Sequence, residues 1–228
     1  MKFQSTLISI LFLALLVQSC TTTRFVKPLK EKEQAIQISL GGPMVDIPNI
    51  GSIPLPITNI TYGKGVSENV TGFGSIYPSA AIFGVFQVDA GFVFKWNKQE
   101  NWGITTTPML NFAVDSWEWN AKLWPNADVN FYWEKPFKNK TDKHWMVYGG
   151  FNNWFELSKL RAHNVVQPKH WIVSPHTGFV YSTKKWNYTL EYKLIAPGAD
   201  NVNLVTSYSS LAGNTGANSL LLTLCRKF

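Results

Sequence analysis

Over Phe83–Trp96 the side chains alternate. Phe86, Val88, Ala90, Phe92, Phe94 and Trp96 fall on one side, and Gln87, Asp89, Gly91 and Lys95 on the other. Period two predicts a β-strand with unlike faces. The apolar face is unusually large, carrying aromatics opposite an acid, a base and an amide. The same alternation predicts strands over Trp102–Phe112, where Trp102, Ile104, Leu110 and Phe112 oppose Thr105, Thr107 and Asn111. It recurs over Leu123–Glu134, with Leu123, Ala127, Val129, Phe131 and Trp133 opposite Asn126, Asp128, Asn130, Tyr132 and Glu134. Over Trp186–Leu194, Trp186, Tyr188, Leu190, Tyr192 and Leu194 oppose Asn187, Thr189, Glu191 and Lys193. A last strand puts Leu220, Leu222, Leu224, Arg226 and Phe228 on one side, while His144–Leu157 is less regular, with Asn152-Asn153 in its middle. After Gln34 no stretch carries apolar residues at helical spacing.

Short polar turns punctuate these strands at Gly65–Asn69, Asn97–Asn101, Lys138–Lys143 and Ser182–Lys185, each a hairpin signal. Longer connections fall between them, at Gly41–Pro54, Pro78–Ile82, Asp115–Ala121, Ser158–Lys169 and Pro197–Gly213. Short turns at one end and long loops at the other are the build of an outer-membrane barrel, whose aromatics face lipid and whose charges face the lumen. Four hairpins and one strand at each terminus give about ten strands, eight being the lower count. Trp96, Trp102, Trp117, Trp119, Tyr132, Trp133, Trp145, Trp171, Tyr181 and Trp186 near strand ends read as interfacial girdles. Pro108 and Pro125 cannot donate to a ladder and are expected at bulges or near a rim. The competing architecture is a soluble β-protein with the same aromatics in its core.

The N-terminus adds a location. Residues 1–19 read as a signal peptide: Lys2 gives a basic start, and Leu7–Val17 is an apolar run too short to span a bilayer as a helix. The segment ends Val17-Gln18-Ser19-Cys20, which resembles the lipobox of bacterial lipoproteins, with Gln18 a departure from it. That resemblance implies cleavage before Cys20 and acylation of its thiol. Residues 20–33 then read as a polar, lipidated tether and residues 34–228 as the barrel. Thr and Arg rather than acids follow the cysteine, which by the same resemblance implies an anchor on the periplasmic leaflet. Both barrel ends fall on the short-turn side, in agreement.

Without Lys2 the chain keeps 20 of its 21 Lys and Arg against 14 acids, a net charge of +6. No basic cluster interleaves with aromatics, so nucleic acid is not an expected partner; lipid head groups are. With Cys20 acylated, Cys225 is the sole remaining thiol, and no intramolecular disulfide forms.

Short pieces along the chain resemble a largely uncharacterised family of small bacterial outer-membrane barrel lipoproteins. They are GGP at Gly41–Pro43, PLP at Pro54–Pro56, Tyr62-Gly63, VDAG at Val88–Gly91, LWP at Leu123–Pro125, EYKLIAPGADN at Glu191–Asn201 and the closing RKF. The resemblance implies fold and location and no reaction. The terminal Phe228 resembles the signal read by the outer-membrane assembly machinery, the expected partner during insertion; Arg226 departs from that pattern.

Candidate chemistry is sparse. His144, His163, His170 and His176 show no metal-ligand spacing, and no cofactor or metal is expected. Ser174, His176 and Glu191 are the parts of an acyl-transfer set, as in a lipid A-modifying hydrolase, but predicted to face the lumen. Gln87, Asp89, Lys95, Asp128, Glu134, Glu191 and Lys193 form a predicted lumen network, with Lys95 and Lys193 expected to pair with the acids and fill the bore. The resulting expectation is an all-β, antiparallel up-and-down transmembrane barrel with a structural or accessory role and no catalysis. The alternatives are a narrow channel and a tethered lipocalin-like barrel holding an apolar ligand within an aromatic interior.

Overall fold

The computed structural model describes residues 24–137, 140–159, 166–167, 169–201 and 207–228. Cys20 and the signal-peptide stretch lie outside them, as does His163. Eleven strands follow in chain order: β1 (Gln34–Ile47), β2 (Gly51–Pro54), β3 (Thr58–Ser67), β4 (Val70–Ile76), β5 (Val85–Lys95), β6 (Trp102–Asp115), β7 (Ala121–Phe137), β8 (Lys140–Phe155), β9 (Trp171–Ser182), β10 (Trp186–Asp200) and β11 (Thr215–Lys227). A five-residue helix, α1 (Pro78–Ile82), interrupts the β4–β5 connection. Neighbouring strands pair antiparallel from β3 through to β11, and β1 pairs with both β3 and β11. Ten strands therefore close into a barrel, and β2 is a short flap hydrogen-bonded only to the far end of β1. The long connection expected over Gly41–Pro54 is thus partly a hairpin.

Closure satisfies the backbone that an open sheet would leave unpaired, which a bilayer demands. The seam runs from Ala35↔Lys227 to Pro43↔Ser219. Its last link is reciprocal, Gln34 N–H to the Phe228 carbonyl at 3.1 Å and Phe228 N–H back to Gln34 at 2.9 Å.

The faces point as the alternation predicts. Phe86, Phe92, Leu110, Phe131, Trp133, Tyr188, Leu190 and Leu222 are exposed on the outer wall, whereas Asp89, Asn111, Asp128, Asn130, Glu191 and Lys193 are each at most 3 % exposed. A folded chain does not leave so continuous an apolar belt to water. The lipocalin-like alternative fails here, because Phe92 and Tyr188 lie outside and carboxylates and amides line the interior. Trp96, Trp102, Trp117, Trp119 and Trp171 stand exposed near the strand ends. Arg226 lies with its guanidinium 5.6 Å from the Trp186 ring centroid, so the cation on the lipid-side face of β11 has an aromatic partner.

Tyr132 and Pro108 differ from the sequence reading, and the strand pairing accounts for Pro125 and Asn152. Tyr132 is not a girdle residue. It is fully buried in the bore, where a Cβ on its pair partner Gly103 would fall 2.5 Å from its ring. The missing side chain makes the room. Pro108 sits at no bulge: the β5–β6 register is the same on both sides of it, and only the pairs opposite Thr107 and Pro108 are missing. Pro125 pairs with Leu110, and the β7–β8 ladder starts one residue later at Asn126↔Trp154, so its absent N–H is not needed. Asn152 breaks the apolar pattern of β8 because it faces inward, donating to Asn126 Oδ1 (3.1 Å) and Asp128 Oδ1 (2.6 Å).

Two measurements check the fold. Unheated protein in detergent is expected to run at a different gel mobility from boiled protein, and a single unchanged position contradicts a closed membrane barrel. Leu110→Arg, on the outer wall, is expected to lower unfolding stability in lipid vesicles by about 2–4 kcal/mol. A change within about 0.5 kcal/mol, ordinary for a wetted surface, contradicts lipid contact there.

Candidate functional site

The interior of the barrel is occupied by the chain's own N-terminal segment. Residues 24–33 are not the polar tether expected from composition: Arg24, Phe25, Val26 and Leu29 are all buried. Lys30 to Glu33 form a turn at the short-turn rim, closed by Glu33 N–H to the Lys30 carbonyl (3.0 Å) and by Lys32 N–H to the Gly65 carbonyl (2.9 Å). From that turn β1 leads away as wall, and the preceding residues lead back into the bore.

Contacts with strands all around the barrel fix the path. The Leu29 N–H donates to Thr71 Oγ1 on β4 (2.8 Å), and Thr105 Oγ1 on β6 donates to the Val26 carbonyl (2.9 Å). Phe25 and Leu29 pack with Phe73, Val93, Met109 and Cys225, and Val26 with Tyr132, Met146, Tyr148 and Val180. Two glycines on β3 admit the segment: a Cβ would stand 2.3 Å from the Phe25 ring at Gly63 and 1.9 Å from the Lys30 carbonyl oxygen at Gly65.

Charge holds the two ends. Deep in the bore Arg24 pairs with Asp89, both side chains fully buried, and also donates to the Tyr77 hydroxyl at 2.5 Å. Tyr77 enters from the β4–β5 connection, donates to Asp89 and accepts a long 3.5 Å bond from Asn111 Nδ2, whose Oδ1 takes a bond from Gln87 Nε2 at 3.0 Å. Near the short-turn mouth Lys27 pairs with Glu134. A second polar group lies across the bore: Tyr148 donates to Glu191 at 2.6 Å, Lys193 Nζ is 3.6 Å from Glu191, and His176 Nε2 donates to Asn130 Oδ1 at 2.6 Å.

Most of the predicted network is therefore inside, with one correction of partners. Lys193 does face an acid. Lys95 makes no ion pair among the described residues: it sits at the rim, donates to the Gln99 carbonyl at 2.6 Å and lies 5.9 Å from the Tyr132 ring centroid. The cations that meet Asp89 and Glu134 are Arg24 and Lys27, which the sequence reading left outside the barrel. Each of the acyl-transfer parts has another partner: Ser174 Oγ accepts from the Ala196 N–H (3.0 Å), His176 donates to Asn130, and Glu191 accepts from Tyr148 and faces Lys193. Toward the long-loop end the interior closes over Val85, Ala113, Trp124 and Trp154, the two indoles 5.3 Å apart, with Trp124 Nε1 donating to Glu156 (2.9 Å).

Similar barrels occur among solved structures. The porin NanC is 7% identical over 86% of this chain and 100% of its own, with a TM-score of 0.42. The translocator domain of the autotransporter NalP from Neisseria meningitidis is 7% identical over 89% and 91%, with a TM-score of 0.43. The outer-membrane channel DcaP of Acinetobacter baumannii is 10% identical over 88% of this chain and 60% of its own, at 0.29. No protein-family model and no curated protein matches the sequence. The barrel assignment rests on the closed ladder and the facing of the side chains.

The ion pair at the inner end is the testable center of this arrangement. Asp89→Ala strands a buried guanidinium and is expected to cost about 3–5 kcal/mol in urea unfolding from vesicles. Arg24→Met combined with Asp89→Leu is expected to recover most of that loss. Costs that simply add contradict a mutually dependent pair.

Proposed function

We propose that this protein is a lipid-anchored outer-membrane barrel, closed at rest by its own N-terminal segment, with a structural or accessory role and no catalysis. One observation carries the reading: the wall turns its aromatic and aliphatic side chains outward and its carboxylates inward, toward a bore already filled by residues 24–30. Lipid supplies the surroundings such an exterior needs, and the filled bore favours a plugged barrel over a standing channel. The anchor is an acylated Cys20, which precedes the end of the segment that lies deep in the bore rather than the start of β1. Cys20 stands four residues before Arg24, at most about 14 Å of extended chain, so anchor and plug form one continuous device. Phe228, exposed and paired at the seam, is the residue offered to the assembly machinery.

Wild-type protein in planar bilayers is expected to pass no steady current; sustained open-channel currents overturn the closed barrel. Mass spectrometry of the N-terminal peptide of membrane-extracted protein is expected to find acyl chains on Cys20. An unmodified Cys20, or a mature chain beginning elsewhere, overturns the anchor and leaves the barrel standing.

A further inference from the structure

We propose that the bore is a conduit for small organic cations carrying an apolar arm, and that Arg24–Lys30 is an internal occupant of that conduit which leaves to open it. The proposal rests on the closed-barrel reading above and adds what the closed bore accepts.

The occupant shows what the wall selects. It presents a guanidinium to Asp89 and Tyr77, then a phenyl ring and two aliphatic side chains to an apolar layer, then an ammonium to Glu134. The wall is thus acidic, then apolar, then acidic along the path. Above Arg24 the same chemistry continues: the Trp124–Trp154 pair with Glu156 beside it suits a cation that meets aromatic faces and a carboxylate together. Arg24 already lies over a ring, 5.7 Å from the Tyr77 centroid.

Charge sets the sign of what passes. Among the described buried residues, Asp89, Asp128 and Glu191 face Arg24 and Lys193. Without the segment, Lys193 alone opposes three carboxylates, and a narrow low-dielectric bore concentrates cations and turns anions away. Inward-facing polar atoms on other strands, Gln37 Nε2, Thr107 Oγ1, Asn130 Nδ2 and Ser219 Oγ, have no hydrogen-bond partner among the described residues. Groups of that kind are met by water or by a polar visitor.

The segment can leave without opening the barrel. The β1–β11 seam begins at Ala35, and β1 pairs with β3 from Gln34 onward, so no wall ladder runs through residues 24–30. Its attachments include two ion pairs, the Arg24–Tyr77 hydrogen bond, side-chain-to-backbone bonds at Val26 and Leu29, and packing of three apolar side chains, all of them reversible contacts. Cys225, buried in the same cluster as Phe25 and Leu29, reports on its departure.

The test uses full-length protein in proteoliposomes: wild type, Arg24→Gln, and Gly65→Val, which crowds the Lys30 backbone without altering charge. The probe is the dipeptide amide Arg-Phe-NH2, with Glu-Phe as the anionic control. Label on Cys225 from a water-soluble maleimide is located by mass spectrometry. Both variants are expected to label at Cys225 and to take up Arg-Phe-NH2 at least about tenfold faster than Glu-Phe, whereas wild type does neither. Asp89→Asn added to Arg24→Gln is expected to reduce that preference. Barrels that keep their heat-dependent mobility but leave Cys225 unlabelled in both variants overturn the displaceable occupant. Labelled barrels that pass neither probe, or both equally, overturn the cation conduit. Wild-type protein that fails to float with liposomes overturns the membrane reading instead, a distinct result.

Discussion

Carboxylates buried in a narrow bore require cations at contact distance, because an isolated charge taken from water costs several kcal/mol. Asp89 and Glu134 lie on different strands at different depths, and among the described residues no base of the wall forms an ion pair with either. The chain answers by returning its N-terminus through the barrel, so that Arg24 meets Asp89 and Lys27 meets Glu134. What lies between those two ends follows from this. Gly63 and Gly65 give up side chains to admit the segment, and Phe25, Val26 and Leu29 fill the space that a ten-stranded circumference leaves around the axis.

The outer wall obeys the complementary rule. Every strand direction that carries an acid or amide inward carries Phe, Leu, Ile or Trp outward, and the seam between β1 and β11 removes the edge at which a sheet would otherwise seek a partner. The departures are local and each has its answer. Arg226 stacks on Trp186, and Pro125 stands where the β7–β8 ladder has not yet begun.

The wall was legible because period two repeats in strand after strand, and because turn residues mark every change of direction. Ten strands, their two unlike ends and the inward places of Asp89, Asp128, Glu191 and Lys193 all follow from that pattern. The occupant was not legible, since Arg24 to Glu33 has no periodicity and a composition like that of any solvated linker. A signal was present all the same. Four inward carboxylates, Asp89, Asp128, Glu134 and Glu191, faced only Lys95 and Lys193, and Lys95 lies close enough to its turn to bond there. That deficit of positive charge called for a further cation, and the nearest sequence outside the wall begins with one. Tyr132 was misplaced for a related reason: its position by parity was inward, while its residue type suggested a girdle, and a glycine on the neighbouring strand decided for parity.

The central claim is that the N-terminal segment lies within the barrel in the membrane. Cysteine cross-linking tests it most directly, with Leu29→Cys and Thr71→Cys introduced together into protein carrying Cys225→Ser, since the Leu29 amide and Thr71 Oγ1 are 2.8 Å apart. Oxidation of intact membranes is expected to join positions 29 and 71 in nearly all folded molecules. A Cys at position 29 that stays unjoined and reacts freely with a membrane-impermeant thiol reagent would place the segment outside the bore and contradict the account.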